Sequence, residues 1–323
     1  MEKINVGLLG YGFIGSIHRE VMDELEKFSL VCVAEPKNEL TTNLNVSLYS
    51  DYQDLIEKEY KNLDAVIIAL PTGLHRDATN YAFNFGLDVL LEKPMAVNSK
   101  EAKDIREENI LHDSKLMIGM TGRYHPEFLS AYKAIKSGII GDLISLDEKM
   151  HYGSVDFPEK YLEKNLFGGG VGLTNGIHTV DRFLWFTGQE VASVDLEYIG
   201  NDFFKKDIED NLMGAIVFDN GIKGTFSLRW SRNPEQDYVF EVIGTKGKVT
   251  VYGFDKTILS LSDKETVLFE HEKDTDFRRR HKPGIKAELL SFAQYLHSGD
   301  GNNHILDCIN AQKITDYFEE CFS

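Results

Sequence analysis

The sequence predicts an α/β chain: a doubly wound parallel sheet up to about residue 120, then an α+β domain on a mostly antiparallel sheet. Three observations predict it. In the first part, short unbroken apolar runs alternate with stretches of helical period. Beyond it, polar and apolar residues alternate within several strand-like runs, and Asp219-Asn220-Gly221 and Gly244-Thr245-Lys246-Gly247 break them as turns. At 323 residues the chain is long enough for two cores.

Residues 4–9 form the first apolar run, and Ile14, Ile17, Val21, Leu25 and Phe28 follow at roughly helical spacing. Residues 30–34, 65–70, 88–91 and 116–119 read as further strands. Strands that are apolar without interruption are buried on both faces, as in a parallel sheet covered by helices. In the second half, strands are expected at 143–151, 194–198, 212–218, 223–229, 239–243 and 248–252, and helices near 126–137, 176–187, 284–298 and 306–322. The domains are accordingly placed at 1–120 and 121–323, without a flexible linker.

Charge narrows the function. With 35 Lys and Arg against 52 Asp and Glu, the net charge is −17, which disfavours nucleic acid because phosphate neutralisation needs clustered cations. The run Arg278-Arg279-Arg280-His281 is too short to reverse that. No stretch of 18 apolar residues suggests a membrane span. Cys32, Cys308 and Cys321 have no metal-ligand spacing and suit a reducing compartment. No signal-peptide pattern precedes the first strand, so a cytoplasmic protein is expected.

Gly10-Tyr11-Gly12-Phe13-Ile14-Gly15 leaves a strand and opens a helix, and Glu35 stands 20 residues after Gly15, at the end of the next strand. That context makes the glycines a dinucleotide fingerprint. Gly10 allows the tight turn, Gly12 lets the backbone approach a pyrophosphate, and Gly15 lets helix and strand pack closely. Phe13 and Ile14 lie between the last two glycines, where the amides of the helix start attract phosphate. Glu35 can accept ribose hydroxyls and repels a 2′-phosphate. Lys37 is the one cation in residues 36–45. NAD is therefore expected over NADP.

Three more strings stand in order: Pro71-Thr72-Gly73-Leu74-His75, Glu92-Lys93-Pro94, and Gly176-Ile177-His178-Thr179-Val180-Asp181. With the glycine loop in front, the chain resembles the glucose-fructose oxidoreductase, inositol dehydrogenase and rhizopine-catabolism (Gfo/Idh/MocA) family over essentially its whole length. The resemblance implies an NAD(P)-dependent dehydrogenase or reductase of sugars, cyclitols and related polyols. It also implies a Rossmann domain followed by a domain with a large open sheet, used in a homodimer or homotetramer. By the same resemblance His178 is the base that takes the hydroxyl proton, work suited to an imidazole with an ordinary pKa of about 6.5. Lys93 would hydrogen-bond the reacting oxygen, and Glu92 and Lys93 would border the cofactor. Pro71, Thr72 and His75 would touch the cofactor, with Thr72 capping the following helix. Arg123, Tyr124, His151, Thr174 and Asn175 are candidates for the substrate, although a structural ion pair is an equally good reading of Arg123.

The sequence departs from that pattern at Thr174, where many members carry an aspartate four residues before the histidine. Thr121 likewise replaces a common polar amide. Asp181, three residues after His178, shares its helix face and could orient it. One His and one Asp are too few for zinc, so no metal is expected. Two other activities occur on this scaffold: a glycosidase that oxidises its substrate transiently with bound NAD, and a non-catalytic nucleotide sensor. The presence of Lys93 and His178 disfavours the sensor.

Overall fold

The unbroken apolar runs become a six-stranded parallel sheet in the computed structural model of the chain, which describes residues 3–37, 44–154, 158–271, 276–299 and 304–322. Its strands are β1 (Ile4–Leu9), β2 (Phe28–Ala34), β3 (Ser47–Tyr49), β4 (Ala65–Ile68), β5 (Asp88–Glu92) and β6 (Leu116–Gly119). They lie in the order β3-β2-β1-β4-β5-β6 with every neighbouring pair parallel. Helices α1 (Phe13–Glu24), α2 (Tyr52–Glu59), α3 (His75–Asn84) and α4 (Ser99–His112) intervene. Successive residues of β4 and β5, among them Val66, Ile67, Leu90 and Leu91, are fully buried. Both faces are therefore covered, which is why these strands carry no polar alternation. The order reverses between β1 and β4, and ligands of such sheets bind beyond the strand ends at that point.

The second half begins with α5 (Pro126–Lys136), β7 (Leu143–Gly153), the single turn α6 (Lys164–Phe167) and α7 (Ile177–Thr187). Strands β8 (Val191–Gly200), β9 (Asn211–Phe218), β10 (Lys223–Ser231), β11 (Glu235–Gly244), β12 (Gly247–Tyr252), β13 (Lys256–Leu261) and β14 (Lys264–Glu270) follow. The sheet runs β14-β13-β12-β11-β7-β10-β9-β8 and is antiparallel except between β7 and β10. Phe183 and Phe186 of α7 pack on Phe240 of β11, with ring centroids 6.3 and 4.9 Å apart. Beside them, buried Arg182 pairs with buried Glu148 of β7 through Nε–Oε2 at 3.2 Å and a second contact from Nη2 to Oε1. Helices α8 (Phe277–Ser298) and α9 (Ile305–Phe322) complete the chain. No described helix is long and apolar enough to cross a membrane.

Two compact units result: Met1–Thr121 with His281–Ile309, and Gly122–Arg280 with Asn310–Ser323. The first break falls beside the expected boundary. The grouping of 281–309 with the first unit differs from the expected assignment of everything after 120 to the second domain. The apolar stripe of α8 (Ile285, Leu289, Phe292, Ala293) marks a buried face but not the sheet that buries it. β3, β13 and β14 were not expected. β3 has three residues, and β14 is largely exposed, so neither carries a clear apolar pattern. α8 also starts at Phe277, ahead of Pro283, rather than at 284.

Removing one partner of a buried ion pair strands the other. Arg182→Leu is expected to cost the second unit about 3–5 kcal/mol, and adding Glu148→Leu to restore most of it. Urea unfolding of the single and double variants measures this; a double variant no more stable than the single would show that the stranded charge is not the cause.

Candidate active site

The glycine loop is built by close approach. Gly10 has φ +93°, and a Cβ there would lie 2.5 Å from the Ala69 carbonyl oxygen just after β4. A Cβ on Gly15 would lie 2.1 Å from the Gly10 carbonyl oxygen. Gly12 differs, because a Cβ there would meet nothing within 4 Å. Gly12 is also the N-cap of α1, with no side-chain cap and no acidic residue in the first turn. Space above Gly12 and the positive end of a 12-residue helix, at Phe13 and Ile14, form a cradle that fits a pyrophosphate. Glu35 borders it: its Oε2 accepts the Tyr11 amide at 2.9 Å and its Oε1 the Lys37 amide at 3.1 Å. Each oxygen retains a lone pair for a ribose hydroxyl. Residues 38–43 of the stretch read for a 2′-phosphate partner lie outside the described residues.

The loop after β4 is tied to the turn after β5. Pro71 precedes a 3-10 turn, Thr72–Leu74, that leads into α3. Thr72 is buried in that turn and caps neither it nor α3, contrary to the expected capping role. His75 is buried with its ring nitrogens 2.8 Å from the Leu70 and Pro94 carbonyl oxygens. Burial holds its pKa below the ordinary histidine value. The ring thus clamps the Lys93–Pro94 turn, whose peptide is cis, instead of offering a nitrogen to a cofactor. Lys93 stays partly exposed although protein surrounds it on most sides. Burial pulls its ammonium below the usual lysine range, opposed by the charge of Glu92.

In the second unit, Thr174 and Asn175 lie in a π-helical turn, Gly172–Gly176, that continues into α7. Thr174, Asn175, His178 and Trp185 are partly exposed along a helix that is otherwise buried through Thr187. A Cβ on Gly122 would lie 3.7 Å from Nδ1 of His178, so the ring lies close to that backbone. Asn175 is engaged structurally: its Oδ1 accepts the Trp230 indole N–H at 2.8 Å, and its amide meets the Met150 sulfur at 3.0 Å. His151 is buried, with Nε2 2.8 Å from the Ser227 hydroxyl and Nδ1 3.0 Å from Arg229. Tyr124 is buried as well. Arg123, also buried, takes the structural role: its Nε reaches both oxygens of Asp181 at 2.9 and 3.1 Å, and Nη2 reaches Oδ1 at 2.6 Å. Asp181 therefore orients Arg123, where the sequence offered it as a partner of His178.

Other residues were missed. Glu209 accepts the amides of Gly170 and Gly172 at 3.1 and 2.7 Å and so shapes the glycine-rich lead-in to Thr174. Burial pushes its carboxyl up to about 7, with Glu319 adding to the rise. In the first unit, His18, Glu92 and Glu288 bring one ligand-capable atom each within 4.8 Å of the others, all buried. The signal for His18 was a histidine on the inward face of α1; nothing near Glu288 in the chain marks it.

Residues 4–134 match the model of the Gfo/Idh/MocA oxidoreductase family with an NAD-binding Rossmann fold, and residues 128–250 match the model of its C-terminal domain. The rhizopine catabolism protein MocA of Rhizobium meliloti is 30% identical over 196 residues, 59% of either chain. The scyllo-inositol 2-dehydrogenase (NAD(+)) of Bacillus subtilis is 26% identical over 312 residues, covering 92% of this chain and 87% of that protein. The crystal structure of myo-inositol 2-dehydrogenase from Lactobacillus plantarum superimposes with a TM-score of 0.85 at 22% identity, over 99% of this chain and 97% of that one.

The glycines separate folding from binding. Gly15→Ala is expected to cost about 1–3 kcal/mol of stability, since the Gly10 backbone must move. Gly12→Ala is expected to leave the unfolding midpoint of the free protein unchanged and to weaken NAD at least tenfold, or about 1.4 kcal/mol. Calorimetric titration beside thermal unfolding checks both, and unchanged NAD affinity in Gly12→Ala would refute the cradle.

Proposed function

The chain belongs to the Gfo/Idh/MocA oxidoreductases, and on that footing we propose an NAD-dependent dehydrogenase acting on a secondary alcohol of a sugar, cyclitol or related polyol. NAD, when bound, supplies the hydride acceptor. The observation that carries the reading is Lys93 at the carboxyl end of β5, where ligands of doubly wound sheets bind. Its ammonium is depressed by burial yet supported by Glu92. Such a cation donates a hydrogen bond to the substrate hydroxyl and favours its alkoxide-like form. His178, on the partly exposed stripe of α7, takes the hydroxyl proton and returns it in the reverse direction. Thr174 lies on the same stripe and is a hydrogen-bonding group for a polyol. Glu35 gives the preference for NAD over NADP, because a carboxylate beside the ribose repels a 2′-phosphate. The inositol dehydrogenases among the relatives make cyclitols the first substrates to try.

The test is the absorbance of reduced nicotinamide on mixing the protein with NAD or NADP and a panel of cyclitols, hexoses, uronates and nucleotide sugars. Signal with a polyol and NAD supports the reading; silence across the panel with NAD bound overturns it. Lys93→Ala and His178→Ala are each expected to lower kcat by about 10²–10⁴ while NAD still binds. Lys93 acts as a cation, so activity falls as pH rises through its depressed pKa. The alkaline limb of the kcat/KM profile is therefore expected below the ordinary lysine range, and a limb within that range would refute the role. Glu35→Ala is expected to weaken NAD more than NADP in competitive binding, and equal losses would remove the ribose assignment.

A further inference from the structure

Behind Lys93 lies a sealed polar cluster that hydride transfer does not use directly. His18 comes from α1, Glu92 from the end of β5 and Glu288 from α8, and all three are buried. His18 Nε2 meets Glu92 Oε1 at 2.8 Å, and Glu92 Oε2 accepts the Lys93 backbone amide at 3.2 Å. Both oxygens of Glu288 and Nδ1 of His18 lack a well-formed hydrogen bond, although ligand-capable atoms of all three residues lie within 4.8 Å of one another. Two carboxylates this close and this deeply buried repel each other too strongly for both to be ionised. One proton must remain in the cluster.

Its neighbours decide where. Burial, and then the charge of Glu92, drive the Glu288 carboxyl well above its ordinary value, and the Thr121 hydroxyl eases this only in part. For Glu92, burial also works upward, but the hydrogen bond with His18, the charge of Lys93 and the Lys93 amide outweigh it, and its value falls. The groups acting on Glu288 are thus Glu92 and Thr121, with His18 completing the cluster; Lys93 acts on Glu92. Two carboxyls pushed apart in this way divide one proton unequally.

We propose that Glu288 is a positioning residue for Lys93: as a neutral carboxylic acid it holds the proton of the His18–Glu92–Glu288 cluster and leaves Glu92 anionic. The Glu92 carboxylate then fixes the Lys93 amide through Oε2 and opposes the loss of charge on the Lys93 side chain. A divalent cation would neutralise the same charges. The proton is favoured because the cluster is fully enclosed and supplies only three ligands, whereas Mg²⁺ usually keeps several waters.

The inference rests on the reading of Lys93 above, and the experiment separates the two. Wild type and Glu288→Gln are compared by infrared difference spectroscopy and metal analysis, and both are compared with Glu288→Leu in their pH–rate profiles. A wild-type carbonyl stretch of a neutral carboxylic acid, persisting above neutral pH and lost in Glu288→Gln, is expected. Glutamine mimics the neutral acid, so Glu288→Gln should keep kcat and the alkaline limb. Glu288→Leu, which offers the cluster no polar group, should lower kcat about tenfold or more through misplacement and move the limb. The linkage gives a second readout. A carboxyl raised in the folded state stabilises least at high pH, so wild-type thermal stability should fall as pH climbs above its unfolded value, and Glu288→Gln should flatten that fall. A missing band, or a stoichiometric metal that Glu288→Gln releases, would overturn the proposal. So would equal losses in both variants with unmoved profiles, since that is the mark of packing alone. Absence of turnover in wild type would overturn the positioning role together with the proposed function, while the band would still decide where the proton is.

Discussion

The first unit's site depends on the need to satisfy one buried carboxylate, Glu92. An anion withdrawn from water must be matched by donors and cations or take up a proton. Glu92 is matched on both oxygens, by His18 on α1 and by the amide of Lys93. Each match fixes something else. The first couples the helix that opens at the glycine loop to the end of β5, and the second sets the direction in which the chain leaves that strand. His75 repeats the device one residue further on through the Pro94 carbonyl. Lys93 thus emerges from a turn held at two points by residues that need not touch a ligand.

The second unit uses the same physics on a helix. Asp181 and Arg182 are adjacent on α7 and both buried, and each is paired to a different part of the unit: Arg123 ahead of α5, and Glu148 on β7. A buried ion pair contributes less to stability than to specifying one arrangement, because only one arrangement leaves no charge stranded. Two such pairs on neighbouring residues leave α7 little freedom to rotate or slide. His178, three residues before Asp181, is thereby held on the partly exposed face while the aromatic side packs on Phe240.

The fold was legible wherever burial writes a strong pattern. β4 is apolar throughout, and β1 and β5 are apolar through their centres, because both faces are covered, and the glycine loop carries its own steric requirement in Gly10 and Gly15. β14 was not legible, since its side chains are mostly exposed and impose no apolar period. In the site, Lys93 and His178 could be picked out because they sit in strings whose order resembles a family. The partners of Arg123, Asp181, His151 and Asn175 could not. Those contacts join residues 25 to 78 positions apart, and periodicity reports which side of an element is buried but not what it meets. Glu288 is the extreme case: it lies 196 positions after Glu92, on a helix whose unit the sequence misassigned.

Thr174 bears on the proposed acid–base role of His178 through what it cannot do. An aspartate four residues before His178 would add a negative charge one helical turn away and favour the imidazolium. Threonine offers a hydroxyl that donates or accepts but does not ionise within the working range. Nor does Asp181 supply the missing charge freely, because both its oxygens are bound by the Arg123 guanidinium, which largely cancels it. Neither position 174 nor Asp181 thus places an unmatched negative charge beside His178 on its own helix.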